Sequence, residues 1–373
     1  MHGRKGSLMS LPNSASPDRA STGAPIEVRG CHQRFGSFTA LHGVDLSVSG
    51  GEFVTLLGPS GSGKTTLLRI LAGLVMPTGG TIHVAGRDVT YLPSEKRDIG
   101  MVFQNYALFP HMTIFENVAF PLRIRHKARQ EISHRVGEAL ELVGLPQLGH
   151  RYPGQLSGGQ QQRVAIARAL VFRPRVLLMD EPLGSLDKRL RQQLQLEIRK
   201  LQKEVGITTI YVTHDQDEAF TISDRIAVMD KGSILQIAAP FEIYRAPAAR
   251  FVADFVGDLN CIEGRVTLTG TGTVLRTRGG LDLPIRTSDL PDGSLANCCV
   301  RPEHIELVPD GSSPGVDATL TNIRFKGDHQ RSEALLDDGT RLTINLPSDS
   351  ALVDGARTRL NWPAERAHLF AAG

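Results

Sequence analysis

Apolar positions recur along this chain in two different rhythms, and the change between them divides it. Over residues 26–240, strand-length apolar runs at 53–57, 176–179 and 208–213 alternate with stretches in which apolar residues return every three or four positions. This alternation predicts an α/β domain with a largely parallel sheet. Residues 105–173 are mostly helical in pattern, with Ile132, Val136, Ala139, Leu140 and Val143 on one face, which predicts a helical subdomain. Two strand-like runs flank Asp230-Lys231-Gly232 as a hairpin, and residues 241–259 read as a helix-like connector. From residue 260 to 373 the runs are short and alternating, broken by Asp-Gly pairs at Asp292, Asp310, Asp338 and Asp354. That pattern predicts a small all-β domain, closed or half-closed as a barrel because closure hides strand edges. Residues 1–25 are rich in Ser, Pro, Gly and Ala without apolar period and read as a disordered extension.

Composition narrows the picture only modestly. A chain of 373 residues has room for two domains. With 42 Lys and Arg against 39 Asp and Glu, the net charge of +3 does not argue for nucleic acid or an anionic membrane surface. No apolar stretch reaches bilayer-spanning length, and the short run Leu8 to Leu11 ends at Pro12, so a location in the cytosol or on a membrane's cytosolic face is expected. The four cysteines, Cys31, Cys261, Cys298 and Cys299, show no C-x-x-C spacing and are expected to be reduced and structural.

Three apolar runs end in residues that carry chemistry. The first leads into Gly58, Pro59, Ser60, Gly61, Ser62, Gly63, Lys64 and Thr65, which fill every position of G-x-x-x-x-G-K-[ST] between a strand and a helix that continues through Thr66. Glycines there let backbone N–H groups approach phosphate oxygens at the positive end of the helix, with Lys64 placed for the β- and γ-phosphates and Thr65 for Mg2+. The second run ends at Asp180, a second candidate Mg2+ ligand, and then Glu181, a candidate general base for an attacking water. Capping of the next helix is the plainer alternative for Glu181. The third run ends at His214. Ligands of open α/β sheets lie beyond the carboxyl ends of strands, so the three ends can converge on one nucleotide. Ser157, Gly158, Gly159 and Gln160 open another helical run; such a start binds an anion, although taken alone the signal is weak and favours a plain cap over phosphate binding.

In type, order and spacing, residues 58–65, Gln104, 156–160, Asp180-Glu181, Ser185-Leu186-Asp187 and His214 resemble the defining motifs of ATP-binding-cassette ATPases. The tail, with Arg301-Pro302-Glu303, resembles the TOBE domain that follows the cassette in importers for polyamines, ferric iron, phosphonates and maltodextrins. The resemblance implies an ATP- and Mg2+-dependent homodimer in which Ser157, Gly158, Gly159 and Gln160 of one copy hold the γ-phosphate of its partner's nucleotide. It further implies that His214 contacts the γ-phosphate, that Gln104 senses Mg2+ and the attacking water, and that Asp187 joins the nucleotide site. Phe35 stands where the family stacks an aromatic on adenine, with core packing as the alternative. Ser185 replaces the Ala common in relatives. The segment with Tyr106, Phe109, Pro110, His111 and Met112 matches the groove that receives a helix of a membrane subunit, with core packing as the alternative for about half of these side chains.

The implied protein is the ATPase subunit of an importer at the cytoplasmic face of the membrane. It works with two permease subunits, indirectly with an extracytoplasmic solute-binding protein, and without nucleic acid. Residues 187–260 look most like spermidine/putrescine transport ATPases, with phosphonate, ferric-iron and sugar import as alternatives. A soluble cassette ATPase acting on DNA or ribosomes is the competing class, disfavoured by the single cassette and the balanced charge.

Overall fold

The computed structural model describes residues 23–184, 186–269, 272–285, 290–308 and 315–372. By their contacts these residues form two compact units, one of those within 23–55 and 63–213, the other of those within 56–62 and 214–372. Residues 1–22 of the expected extension, Ser185 and the Asp310-Gly311 turn lie outside the described residues. Gly23 to Pro25, counted with that extension above, belong to the fold: Gly23 N–H donates to Gly206 O and Ala24 N–H to Arg175 O, at 2.9 and 3.1 Å.

The first unit opens with an antiparallel sheet that the expectation of a largely parallel domain did not separate out. Phe38–Val48 pairs with Ile26–Phe35, then Gly79–Val84 and Arg87–Asp88. The parallel strands are Ile99–Val102, Val176–Asp180 and Thr208–Thr213, in which Val176 lies opposite both Ile99 and Thr208. The last two are buried at every position, as continuous apolar runs in a covered parallel sheet should be. The helical part consists of Ile114–Ile124, Arg129–Leu142 and Gly158–Leu170, and the predicted face of Ile132, Val136, Ala139 and Leu140 is buried. No helix among the described residues is long and apolar enough to cross a membrane.

The second unit contains the expected hairpin, Arg225–Asp230 with Ser233–Ala238, turning at Lys231 and Gly232 with φ of 43° and 77°. Paired positive φ values match the twist of a tight hairpin. The connector is two helices, Pro240–Arg245 and Arg250–Phe255, because Pro247 supplies no N–H and cannot continue the first. Ile243, Val252 and Val256 of this connector pack with Ala219, Ile226, Val228 and Leu57. Beyond it lie two five-stranded antiparallel sheets. One orders Asp282–Pro284, Gly272–Thr277, Asn260–Thr269, Leu295–Val300 and His368–Ala371; the other Glu306–Val308, Arg357–Asn361, Val316–Phe325, His329–Leu336 and Arg341–Pro347. They share one core in which Ile262, Val266 and Leu275 meet Leu320, Ala334, Leu342 and Trp362.

The cysteines depart from the expectation of four reduced thiols. Cys261 and Cys299 face each other directly on neighbouring antiparallel strands and form a disulfide. Cys31 and Cys298 are buried free thiols, pushed up to about 11 and about 12 by desolvation.

Arg97 anchors the helix that follows the glycine-rich loop. Its guanidinium is buried and donates to the carbonyls of Ile70 and Leu71 at 2.6 and 3.0 Å, and to Leu92 and Thr90 at 2.7 and 2.8 Å. It thereby supplies a donor to the Leu71 carbonyl, joins Gly73 N–H at that of Ile70, and places a cation at the negative end of Lys64–Leu71. Replacing Arg97 with Ala leaves buried acceptors unmet and should lower the unfolding free energy by about 2–4 kcal/mol. Urea denaturation measures this, and a shift under about 0.5 kcal/mol would contradict the anchoring role.

Candidate active site

Lys64 and Thr65 begin the helix Lys64–Leu71, and Gly63 before them adopts φ 100°, which glycine reaches without steric penalty. With no side-chain cap, this helix start offers main-chain N–H groups and the positive end of its dipole to an anion. Lys64 is buried, at 5 % exposure. Desolvation pulls its ammonium below the ordinary lysine range, while the nearby charges of Glu181 and Asp180 act in the opposite direction.

Asp180 closes a strand with no exposed position and is itself buried. Burial pushes its carboxyl above the ordinary range, opposed by the hydrogen bond from the Thr65 hydroxyl at 3.0 Å and by the charges of Arg69 and Lys64. Glu181 follows at φ 42°, a left-handed backbone that costs a non-glycine residue on the order of 1–3 kcal/mol. Its N–H donates to Val212 O at 3.1 Å, and this bond to the neighbouring strand helps hold the strained turn. The turn aims a half-buried carboxylate that accepts from Gln104 Nε2 at 3.3 Å. The first unit therefore gathers Lys64, Thr65, Asp180, Glu181 and Gln104, while Thr66 continues the helix half-buried.

Gly58, Pro59, Ser60, Gly61 and Ser62 belong to the second unit. Gly58 must lack a side chain, since a Cβ there would stand 2.2 Å from Met229 O. Gly232 N–H donates to Ser62 O at 3.1 Å, so the hairpin braces this part of the loop. His214 is exposed directly after Thr213, and Asp215 caps Gln216–Ile222 by accepting from Glu218 N–H at 3.1 Å.

The other anticipated residues stand at helix starts, a hairpin turn and a buried loop. Ser157 caps Gly158–Leu170 in a reciprocal box, its N–H donating to Gln160 Oε1 at 3.0 Å and its hydroxyl accepting from Gln160 N–H at 3.4 Å. Asp187 caps Lys188–Val205 by accepting from Leu190 N–H at 3.0 Å. Phe35 is half exposed at a hairpin turn, so core packing does not explain it. Tyr106, by contrast, is buried at φ 57° and is not part of an exposed aromatic surface.

Arg168 was missed by sequence reasoning. It is buried and donates to the carbonyls of Tyr106 and Ala107, both at 2.7 Å, fixing the segment after Gln104. A lone cation within the apolar helical run Val164 to Leu170 was the available signal.

A glycine-lined helix start, a buried lysine and paired carboxylates at a strand end define a phosphate-loop nucleotide-hydrolysing cassette. The family model for the ABC transporter matches residues 41–184, and that for the TOBE domain matches residues 298–370. A spermidine/putrescine import ATP-binding protein of Rubrobacter xylanophilus is 49% identical over 88% of this chain and 88% of its own. An Fe(3+) ions import ATP-binding protein of Brucella abortus is 47% identical over 86% and 90%. Among solved structures, a dimeric ATP-binding cassette in a post-hydrolysis state bound to ADP and Pi is 34% identical, with TM-score 0.52 over 58% of this chain and 98% of that one. The chain belongs to the ABC transporter family, as an importer-type ATPase that carries a TOBE domain.

The raised carboxyl of Asp180 sets a pH dependence. A carboxyl with a folded pKa above its unfolded value near about 4 favours the fold when protonated, and the fold loses that stability as pH rises through the folded value. Asp180→Asn, which keeps an acceptor for Thr65, should therefore raise the melting temperature of the nucleotide-free protein at pH 7. The gain should shrink towards pH 4. Equal melting at pH 7 would refute a destabilising carboxylate.

Proposed function

We propose that this chain hydrolyses ATP in a cassette dimer to drive uptake of a polyamine through membrane permease subunits. In this reading it lies against the cytoplasmic face of the membrane, and a solute-binding protein on the other side selects the cargo. The observation that carries the catalytic part is the pairing of Thr65 with Asp180 beside Glu181 and Gln104. Two hard oxygen donors brought within 3.0 Å fit the chemistry of a hard divalent cation, which supports Thr65 and Asp180 as the residues that would hold Mg2+, with Gln104 as a third. When bound, that ion neutralises charge on the β- and γ-phosphates.

The chain's own groups do the rest. Lys64 and the main-chain N–H groups of the loop bind phosphate oxygens, and their partial desolvation strengthens each interaction. Glu181, aimed by its strained backbone, takes a proton from the attacking water. Gln104 holds that carboxylate, and His214 meets the γ-phosphate. Ser157, Gly158, Gly159 and Gln160 complete the site of a second copy, in line with the dimeric cassette that this chain resembles. Phe35 offers an exposed ring for the adenine.

Polyamine as cargo is supported by the relative from Rubrobacter xylanophilus; ferric iron is the second reading, because the Brucella abortus relative is nearly as similar.

Glu181→Gln should bind ATP, accumulate as a dimer and turn over about 10²–10⁴-fold more slowly, as read by phosphate release and size-exclusion chromatography. Turnover within about twofold of the parent would remove Glu181 from the role of base. In cells carrying Glu181→Gln as the sole copy, uptake of labelled spermidine should stop while ferric-iron uptake continues. The converse pattern would replace polyamine with iron.

A further inference from the structure

Arg301, the first residue of the Arg301-Pro302-Glu303 motif, has no evident part in nucleotide chemistry, yet it is fully buried. Its guanidinium donates to Asp258 O at 3.3 Å and to Tyr244 O and Ala253 O at 3.4 Å, and lies 3.7 Å over the Tyr244 ring. Gly257 leaves room for it, since a Cβ there would meet Arg301 Nη1 at 2.7 Å. Glu303 accepts from the Tyr244 hydroxyl, whose pKa is pushed up to about 12 by burial and by this carboxylate. Asp258 is also gripped by Arg331 at 2.5 Å. The β domain thus fixes both connector helices by one buried fork and two flanking bonds.

The other side of the connector meets the segment after His214. Gln216 is the first residue of the helix Gln216–Ile222, two positions beyond His214, and its Nε2 donates to Phe255 O, the last carbonyl of Arg250–Phe255. Ala219, one turn further on, packs in the same cluster as Ile243, Val252 and Val256. These contacts make a short continuous path: Arg301 to the carbonyls of Tyr244 and Ala253, through the connector to Phe255, and from Phe255 to Gln216 beside His214.

We propose that Arg301 and Gln216 are positioning residues for His214, acting on it through the connector that they hold from either side. This rests on the reading of His214 as a γ-phosphate contact. A connector held in place keeps the Phe255 carbonyl where Gln216 can reach it, and the helix start then fixes the loop that presents the imidazole. A shift of the connector releases the bond and lets His214 leave its productive position.

The test uses the full-length protein under conditions in which the parent hydrolyses MgATP. Gln216→Leu removes the donor with little change in size and should lower kcat about tenfold, the worth of one hydrogen bond, with KM for ATP within about twofold and melting temperature lowered by no more than about 4 °C. Gln216→Lys restores a donor to the Phe255 carbonyl and should recover most of the rate. Arg301→Lys keeps the charge but cannot span three carbonyls, and should lower kcat in the same way. The double variant should be no slower than the slower single one. In a His214→Ala background, itself expected to be slower by about a hundredfold or more, Gln216→Leu should add nothing. Parental kcat for Gln216→Leu, failure of Gln216→Lys to rescue, multiplicative losses in the double variant, or a further loss on top of His214→Ala would each overturn the relay. If Arg301→Lys does not fold, the Gln216 series alone decides. Parental turnover for His214→Ala would instead overturn the reading of His214 on which the relay rests.

Discussion

The burial of opposite charges at one end of a sheet is the constraint on which the rest of the structure depends. Lys64 and Asp180 each lose water, and each is shifted towards its neutral form by that loss. Their mutual attraction, the Thr65 hydroxyl and the positive start of Lys64–Leu71 offset only part of the cost. The remaining imbalance makes the site receptive to an anion at the helix start, beside a lysine that the fold has stripped of solvent. Such a site needs a rigid frame, because in a low dielectric a small displacement changes the energy steeply.

Buried arginines supply much of that frame. Arg97, Arg168 and Arg301 all donate to main-chain carbonyls, and desolvation lowers the pKa of each. A carbonyl partner leaves the positive charge only partly compensated, so these residues are poor choices for stability alone. Their value lies in the planar fork, which satisfies several acceptors from separate elements and fixes backbone that has no regular partner. Arg97 closes the C-terminus of the helix behind the loop, Arg168 holds Tyr106 and Ala107 in left-handed conformations, and Arg301 joins the connector to the β domain.

The parts legible in the sequence are those with local causes. Strand ends at Leu57, Asp180 and Thr213 follow from apolar runs meeting polar residues, and the Lys231-Gly232 turn from its own conformational preference. What escaped depends on residues far apart in the chain. Nothing near Arg97 or Arg301 announces carbonyls that lie 27 and 48 residues away. The pairing of Cys261 with Cys299 required knowing that their strands are neighbours in register. The strain at Glu181 was equally hidden, because it arises from a bond to Val212 on a different strand. In the candidate site, residue types and order were therefore readable, whereas the contacts that orient them were not.

The Ser157 helix start brings these themes together. Its reciprocal cap satisfies the N–H groups of Ser157 and Gln160 within the chain, so this helix is stable without an anion. Gly158 and Gly159 come between them, and each has a packing reason to lack a side chain: a Cβ would stand 3.0 Å from Leu186 at the first and 3.4 Å from Leu190 and Leu194 at the second. The same absence leaves their N–H groups approachable. At 3.4 Å the bond from Gln160 N–H to the Ser157 hydroxyl is near the long limit of hydrogen bonding, so that hydroxyl can turn to a stronger acceptor at small cost. On the reading proposed above, a helix end that is self-capped yet weakly committed suits a phosphate arriving with a second copy of the chain, because neither the separated nor the joined state leaves it with a large unmet demand.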